Sequence, residues 1–435
     1  MTMRSARLEK INRLISYMLL LAALPLLAVA CGNSSGGSSD PSVEKVSDYS
    51  FPTDVTVSAD GTRLYVANNV RNSVSIIDTA SMDAIADIRV SCNPRHLAVD
   101  SADTKLYVSH DNVSGCRLSP LPQLDTDPTT GFSGTKVTFI DLTTNAATKE
   151  LRLNGMKQDG KIRSLSSARQ MFWDTSNSVL YVTGLDSSSV AMIDTDLVDT
   201  LATYQFIFTE EEAGEVKGYV RNITQPVDLD MTSDGATVVV PQYGGASLSL
   251  IDTTTLDEYG TAWSLSGCTN PSNPVIYKPS GDANADKYVF ISCKGSDNVK
   301  IYDISDTAAT TATDLGSIGV GDAPTVMHLS SDGKTLIVLN SGDGTVSTIP
   351  WETIKGGASQ AYGLEFSVRS GSSDANSLLS DMAVYGTTVY VSDMLANTIT
   401  TFNYADSFSS VKTITYQTDK SSKPNYFTIF TSFPY

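Results

Sequence analysis

The chain has 435 residues and 46.4 kDa, 41% hydrophobic and 18% charged, enough to bury the core of one large domain or two ordinary ones. Its 30 Lys and Arg against 48 Asp and Glu leave a formal net charge of −18. That excludes nucleic acid, whose phosphates are bound by neutralising them with cations, and the modest charge with 30 Gly and 16 Pro excludes wholesale disorder and coiled coil.

Residues 1–13 carry Arg4, Arg7, Lys10 and Arg13 against Glu9, and Leu14 to Ala30 is apolar apart from Ser16, Tyr17 and Pro25. A basic start, a short apolar run and the small residues Ala28-Val29-Ala30 make residues 1–30 a secretory signal peptide. A spanning helix wants about 20 apolar residues without a central proline. Cys31 directly after the small residues resembles a bacterial lipobox, although Ala28 stands where Leu is commonest and Leu27 lies one residue early. The resemblance implies a palmitate-type acyl anchor on Cys31, which becomes the first residue of the mature lipoprotein. Residues 32–42, Gly-Asn-Ser-Ser-Gly-Gly-Ser-Ser-Asp-Pro-Ser, form a flexible linker with a reach of roughly 18 Å. Gly32, in place of Asp, implies on the same resemblance an outer-membrane lipoprotein of the cell envelope, facing the periplasm or the cell surface. Membrane contact is then by the lipid anchor only.

Residues 43–435 are read as one domain, because from Phe51 the chain repeats itself. The clearest copy begins at Pro52. It runs Asp54-Val55-Thr56-Val57, a turn at Asp60-Gly61, Leu64-Tyr65-Val66-Ala67-Asn68, Ser73-Val74-Ser75-Ile76-Ile77-Asp78 and a fourth run, Ala84 to Val90. Four short alternating runs bounded by turn residues make one antiparallel unit of four strands, A to D. Further copies start at Pro94, near Ala168, at Pro226, Pro274 and Pro324, and the seventh centres on Val389-Tyr390-Val391-Ser392-Asp393. Such units cannot bury both faces alone and must stack. The expected fold is all-β, a seven-bladed β-propeller of four-stranded antiparallel blades. Lys423 to Ile429 reads as the start of an eighth first strand, and Val43 to Tyr49 as an extra outer strand.

Proline, Asp-Gly, Leu-Tyr-Val and Ile-Asp in this order resemble the YVTN-type seven-bladed propeller repeat over roughly residues 50–416. Relatives of that kind include lactonases and oxidoreductase domains. The only Trp-Asp pair, Trp173-Asp174, falls in a first strand, unlike the WD repeat.

In a propeller the A–B and C–D turns share one face and the B–C and D–A connections the other. The first face is expected to be uniformly short. The second is expected to hold every long insertion: His110 to Lys136, Asn154 to Ser167, Thr209 to Gln225 and Arg369 to Ser380. Two residues past each first-strand origin stand Asp54, His96, Gln170, Asp228, Ile276, Val326 and Asp381, around the channel mouth. Arg95 and Arg169 lie beside them. This polar ring is the candidate ligand-binding site, and wet propeller axes also carry polar residues without a ligand.

Of the five cysteines, four are expected to form Cys92–Cys116 and Cys268–Cys293, since the compartment is oxidising. In each pair one cysteine precedes strand A and the other follows strand B of the same blade, at separations of 24 and 25. No catalytic or metal-binding constellation stands out. There is no Cys-x-x-Cys and no Gly-x-Ser-x-Gly; the histidines are His96, His110 and His328, and no motif indicates a cofactor. Asp125 with Asp127, and Glu210, Glu211, Glu212 with Glu215, read as solvated loop acids. The expected role is a binding or scaffold module acting through the long-loop face on an envelope or extracellular protein, a glycan or a small ligand. The alternative is a propeller enzyme, lactonase-like or oxidoreductase-associated, with chemistry at Asp54, His96, Asp228 and Asp381.

Overall fold

A computed structural model describes residues 50–110, 135–158, 161–196, 216–255, 257–279, 281–351, 364–368, 377–406, 408–416 and 427–431. Blade 1 is β1 (Pro52–Val57), β2 (Arg63–Asn68), β3 (Ser73–Asp78) and β4 (Ala84–Arg89). Blade 2 is β5 (Pro94–Val99), β6 (Lys105–His110), β7 (Lys136–Asp141) and β8 (Ala146–Arg152). A hairpin, β9 (Asn154–Gln158) and β10 (Lys161–Ser164), leads to blade 3, which is β11 (Ala168–Asp174), β12 (Val179–Gly184), β13 (Ser189–Asp194) and β14 (Val216–Arg221). Blade 4 is β15 (Asp230–Met231), β16 (Thr237–Gln242), β17 (Ser247–Asp252) and a split outer edge, β18 (Asp257–Glu258) and β19 (Trp263–Ser264).

Blade 5 is β20 (Pro271–Ile276), β21 (Tyr288–Cys293), β22 (Asn298–Asp303) and β23 (Thr313–Gly319). Blade 6 is β24 (Pro324–Leu329), β25 (Thr335–Asn340), β26 (Thr345–Pro350) and β27 (Leu364–Ser367). Blade 7 is β28 (Leu379–Tyr385), β29 (Thr388–Asp393), β30 (Thr398–Asn403), β31 (Ser409–Tyr416) and β32 (Phe427–Thr431). The fold is a seven-bladed propeller, mostly of four-stranded blades.

Local chemistry explains the repeat. The Asp that ends strand C closes the C–D turn with its own carboxylate: Asp78 Oδ1 accepts Ala80 N and Ser81 N at 3.0 and 2.8 Å, and Asp252 Oδ1 accepts Thr254 N at 2.7 Å. Leu64-Tyr65-Val66 and Leu106-Tyr107-Val108 are fully buried because the second strand packs against a neighbouring blade on both faces. Ile76, Val90, Leu97 and Val108, for example, form one apolar cluster between blades 1 and 2. The ring closes between β1 and β28: Ser50 N and Phe51 N donate to Asn397 Oδ1 at 3.1 and 3.0 Å, and Ser380 Oγ donates to Pro52 O at 2.9 Å.

Three expectations are corrected. The stretch expected to open an eighth first strand instead holds β32, the fifth and outermost strand of blade 7, where Phe427 pairs with Tyr416; Val43 to Tyr49 lies outside the described residues. The stretch Thr209 to Gln225 is not a D–A connection, because Val216–Arg221 pairs with β13 as strand D of blade 3. Residues 195–215 therefore form a C–D connection on the face expected to be short. Residues 351–363 of blade 6 form another, and residues 277–287 a long A–B connection, so the insertions are not one-sided.

The third correction is register. The residue before the opening residue of a blade has positive φ again and again: Phe51, Asn93, Ser167, Gln225 (before Pro226, which bridges to Gln242), Asn270 and Ala323. In blade 5 that residue is Asn270, and Pro271 pairs with Cys293 as Pro52 pairs with Asn68. The origin of blade 5 is thus Pro271, not Pro274. Ile276 is a fully buried core residue rather than a member of the ring, and the ring position belongs to Asn273.

Candidate functional site

The ring residues sit at a bulge where each first strand starts, which leaves their N–H groups out of the ladder register. In four blades a hydroxyl on the second strand takes that N–H. His96 N donates to Ser109 Oγ, Gln170 N to Thr183 Oγ1, Asn273 N to Ser292 Oγ and Asp381 N to Ser392 Oγ, at 3.2, 3.0, 2.9 and 3.1 Å. The bulge aims the side chains across the seam toward the next blade.

There they act as ties. Asp381 Oδ2 accepts Val55 N at 3.0 Å, Asp54 Oδ2 accepts Leu97 N at 2.8 Å, and Asn273 Oδ1 accepts Met327 N at 2.8 Å. Asp228 cannot repeat the pattern, because the matching residue of blade 5 is Pro274 and has no N–H. It accepts Asn273 Nδ2 at 2.5 Å instead. Asp230, two residues on, accepts Ile276 N at 2.8 Å and Lys278 Nζ at 2.6 Å. Val326 has no polar group to offer, and across that seam His328 Nε2 donates to Met382 O at 2.7 Å.

Burial decides the electrostatics. It raises Asp54 to about 6, against the lowering effect of the hydrogen bond from Asp381. Burial, then the Asp54 charge, raises Asp381 well above the usual carboxylate range, so Asp381 keeps the proton it donates to Asp54. Burial raises Asp228 to about 8. His96 Nδ1 lies 3.1 Å from Asp54 Oδ2, with a quarter of its side chain exposed at 26%. Half-buried Arg95 and Arg169 flank the ring. Lys294, absent from the sequence reading, directly follows strand B of blade 5, and burial, then the Arg169 charge, lowers its pKa. His110 is engaged by Cys92 O at 3.1 Å and Thr138 Oγ1 at 2.8 Å, and burial lowers it to about 3.

A cavity of about 390 Å³ runs along the first strands of blades 3 to 6, from Gln170, Asp228 and Asn273 down to the A–B turns at Pro279 and Gly333. The sequence reading placed the concavity at the mouth and missed Lys278 and His328 in the channel. Period-two spacing from the ring marks Phe172, Asp230 and His328 as inward-facing, and only the corrected register adds Val275. Among the described residues no group of three or more His, Cys, Asp or Glu is placed to hold a metal ion.

Cys268–Cys293 is a disulfide with Cα atoms 5.0 Å apart. Cys92 is disulfide-bonded too, and its expected partner Cys116 lies outside the described residues, as do Cys31 and the loop acids Asp125, Asp127 and Glu210 to Glu215. No described helix is long and apolar enough to cross a membrane.

Residues 224–432 match the family model "Lactonase, 7-bladed beta-propeller". The chain is similar to lactonase propellers over those residues. Its fold is similar to the Kuenenia stuttgartiensis hydrazine synthase structure, with a TM-score of 0.60 at 15% identity, covering 84% of this chain and 99% of that one. It is also similar to the dihydro-heme d1 dehydrogenase NirN in complex with DHE, TM-score 0.50 and 12% identity, covering 80% of this chain and 63% of that one. A protein of unknown function from Desulfotomaculum acetoxidans DSM 771 gives a TM-score of 0.50 at 11% identity, covering 69% and 83%. At these identities the likeness is one of fold. No curated protein matches the chain.

Proposed function

We propose that the protein is an exported propeller, lipid-anchored through Cys31 and tethered by residues 32–42, that recognises a ligand through its axial channel and the B–C and D–A connections around its mouth. The observation that carries this reading is the contrast between the axial groups. The carboxyls that could serve as acid or base hold one blade to the next, whereas Phe172 and Val275 line a cavity of about 390 Å³ along the first strands. A cavity of that size falls within the range of small-molecule sites, roughly 300–1,000 Å³. A general acid or base, by contrast, needs reach to a substrate proton.

Ligand capture from envelope extract, read by mass spectrometry of small molecules and proteins retained on the purified chain, tests the reading. A retained species that Val275→Phe releases supports it, and retention of nothing above a blank resin contradicts it. For the anchor, Cys31→Ser should move the protein from the membrane to the soluble fraction and abolish labelling by radioactive palmitate.

The family match favours a second reading, lactone hydrolysis at the mouth with Asp54, His96, Asp228 and Asp381. A pH-stat assay on γ- and δ-lactones separates the two. The binding reading expects no hydrolysis above the buffer rate, and turnover lost in Asp228→Asn would replace it with the second.

A further inference from the structure

We propose that the channel mouth above blades 2 to 5 is a site for a small molecule that carries a carboxylate or phosphate group, held by Arg95, Arg169 and Lys294. The inference rests on reading the mouth as part of the recognition site and adds the class of ligand.

A departure from the repeat marks the site. In four blades the residue one past the first-strand origin is a hydroxyl that serves the backbone. Thr53 donates to Pro94 O, Ser272 to Asn270 O, Thr325 to Leu339 O and Ser380 to Pro52 O, at 3.1, 3.2, 3.5 and 2.9 Å. The neighbouring blades 2 and 3 carry Arg95 and Arg169 at that place instead, both half-buried. The residue after each second strand is placed as regularly, its N–H donating to the residue before the origin. Leu185 donates to Ser167 O, Tyr243 to Gln225 O, Lys294 to Asn270 O and Ser341 to Ala323 O, at 3.1, 3.2, 3.2 and 3.1 Å. Among the described residues Lys294 is the one cation of this rim.

Lys294 is half-buried, and its ammonium has no hydrogen-bond or ion-pair partner among the described residues. The charge that acts on it is Arg169, two blades away, so the two side chains approach each other over the inner end of blade 4. Like charges held together and partly out of water are costly, and a bound oxyanion turns that repulsion into attraction. The ring acids do not supply the counter-charge. Asp54 and Asp381 are turned into the seams, to Leu97 N at 2.8 Å and Val55 N at 3.0 Å, and Asp228 is held by Asn273 Nδ2. In the adjoining B–C turns Asp186 accepts the Ser167 hydroxyl, and Asp297 accepts Ala323 N at 2.9 Å. An arginine fork matches two oxygens of a carboxylate or phosphate, and a lysine adds a point charge.

Trace acetylation of the purified protein at pH 7, read lysine by lysine by mass spectrometry, tests this with inorganic phosphate and with succinate at constant ionic strength. A bound anion covers the Lys294 ammonium and holds its proton. Labelling of Lys294 should therefore slow, half-maximally at about 1 mM or below, while exposed Lys334 on an A–B turn reacts as before. The anion that acts at the lower concentration names the group. Arg169→Gln should raise the concentration needed by about tenfold or more. Arg95→Gln, on another blade, should do the same, so the test survives if one variant fails to fold. Lys294 labelling that neither anion changes, or protection indifferent to both variants, overturns the inference. An uncharged species captured from envelope extract and released by Val275→Phe overturns the anion class and leaves the channel as a binding site. Unchanged labelling together with capture of nothing overturns the binding reading as well.

Discussion

Asp381 Oδ2 accepts the backbone N–H of Val55 at 3.0 Å, joining residues 326 apart in sequence and the last blade to the first. A propeller built from sequential blades has one seam that chain connectivity does not hold, and this bond spans it. Asp381→Leu leaves the Val55 N–H buried without an acceptor and should cost about 1–3 kcal/mol. Asp381→Asn keeps a carbonyl oxygen for the bond and should cost less than half as much. Urea unfolding of the two variants checks the order, and equal losses would show that the acceptor is not what matters.

The raised Asp228 makes stability depend on pH in an unusual sense. Its folded pKa, about 8, lies above the usual carboxylate range near 4, so the folded chain binds more protons than the unfolded one between those values. Its contribution is present below pH 4 and is lost as pH rises through about 8. Asp54 acts in the same sense up to about 6, while His110, depressed to about 3, acts in the opposite sense below about 6.5. Between about 6.5 and 8 neither Asp54 nor His110 contributes, and Asp381, raised well above the usual carboxylate range, acts in the same sense as Asp228. There the wild-type Tm should fall with rising pH, by on the order of 1 kcal/mol of stability from Asp228, and Asp228→Asn should make the slope shallower. A slope unchanged in that variant would contradict the assignment.

Two turn glycines should differ although their backbones match. Gly61 and Gly333 have φ of 73° and 68°, which any other residue adopts at a cost of about 1–2 kcal/mol. A Cβ at Gly61 would meet the Tyr385 ring at 2.1 Å, and that exposed ring can swing aside. A Cβ at Gly333 would meet Pro279 Cγ at 2.1 Å, and a proline ring cannot. Gly333→Ala should thus lose about 1–3 kcal/mol more than Gly61→Ala, read from paired thermal melts.

Removing the Cys268–Cys293 bridge, which closes a separation of 25 residues, should cost roughly 3 kcal/mol. Cys268→Ala with Cys293→Ala measures it by denaturant unfolding. A stability change near zero would indicate that the well-packed cluster around Trp263 and Ile291, which already holds both cysteines, carries the blade without the bridge.

Much of this was legible in the chain because a propeller repeats its instructions. Leu-Tyr-Val in blades 1 to 3, Ile-Asp in blades 1 to 4 and Asp-Gly in blades 1, 4 and 6 mark a buried strand, a capped turn and a left-handed turn, so a degenerate copy is read from its neighbours. The misses have local causes. Blade 5 carries Pro271 and Pro274, and only the pairing of Pro271 with Cys293 shows which proline is the origin, so Asn273 was hidden behind Ile276. Strand D of blade 3, Val216–Arg221, follows an acidic polar stretch and lacks the alternation of its counterparts, which moved an insertion to the wrong face. The ring acids were found by register, but their role as ties depends on which backbone N–H the next blade presents. Pro274 changes that answer for Asp228 alone.

A small molecule entering the channel between blades 3 and 6 would meet Val275, which is half-buried and lines the cavity, whereas Val66 and Val108 are fully buried in blades 1 and 2. With ¹³C-methyl-labelled valine, titration with the species retained from envelope extract should shift the Val275 resonances and leave Val66 and Val108 in place. Shifts confined to valines outside the cavity lining, or none at saturation, would contradict binding in the channel.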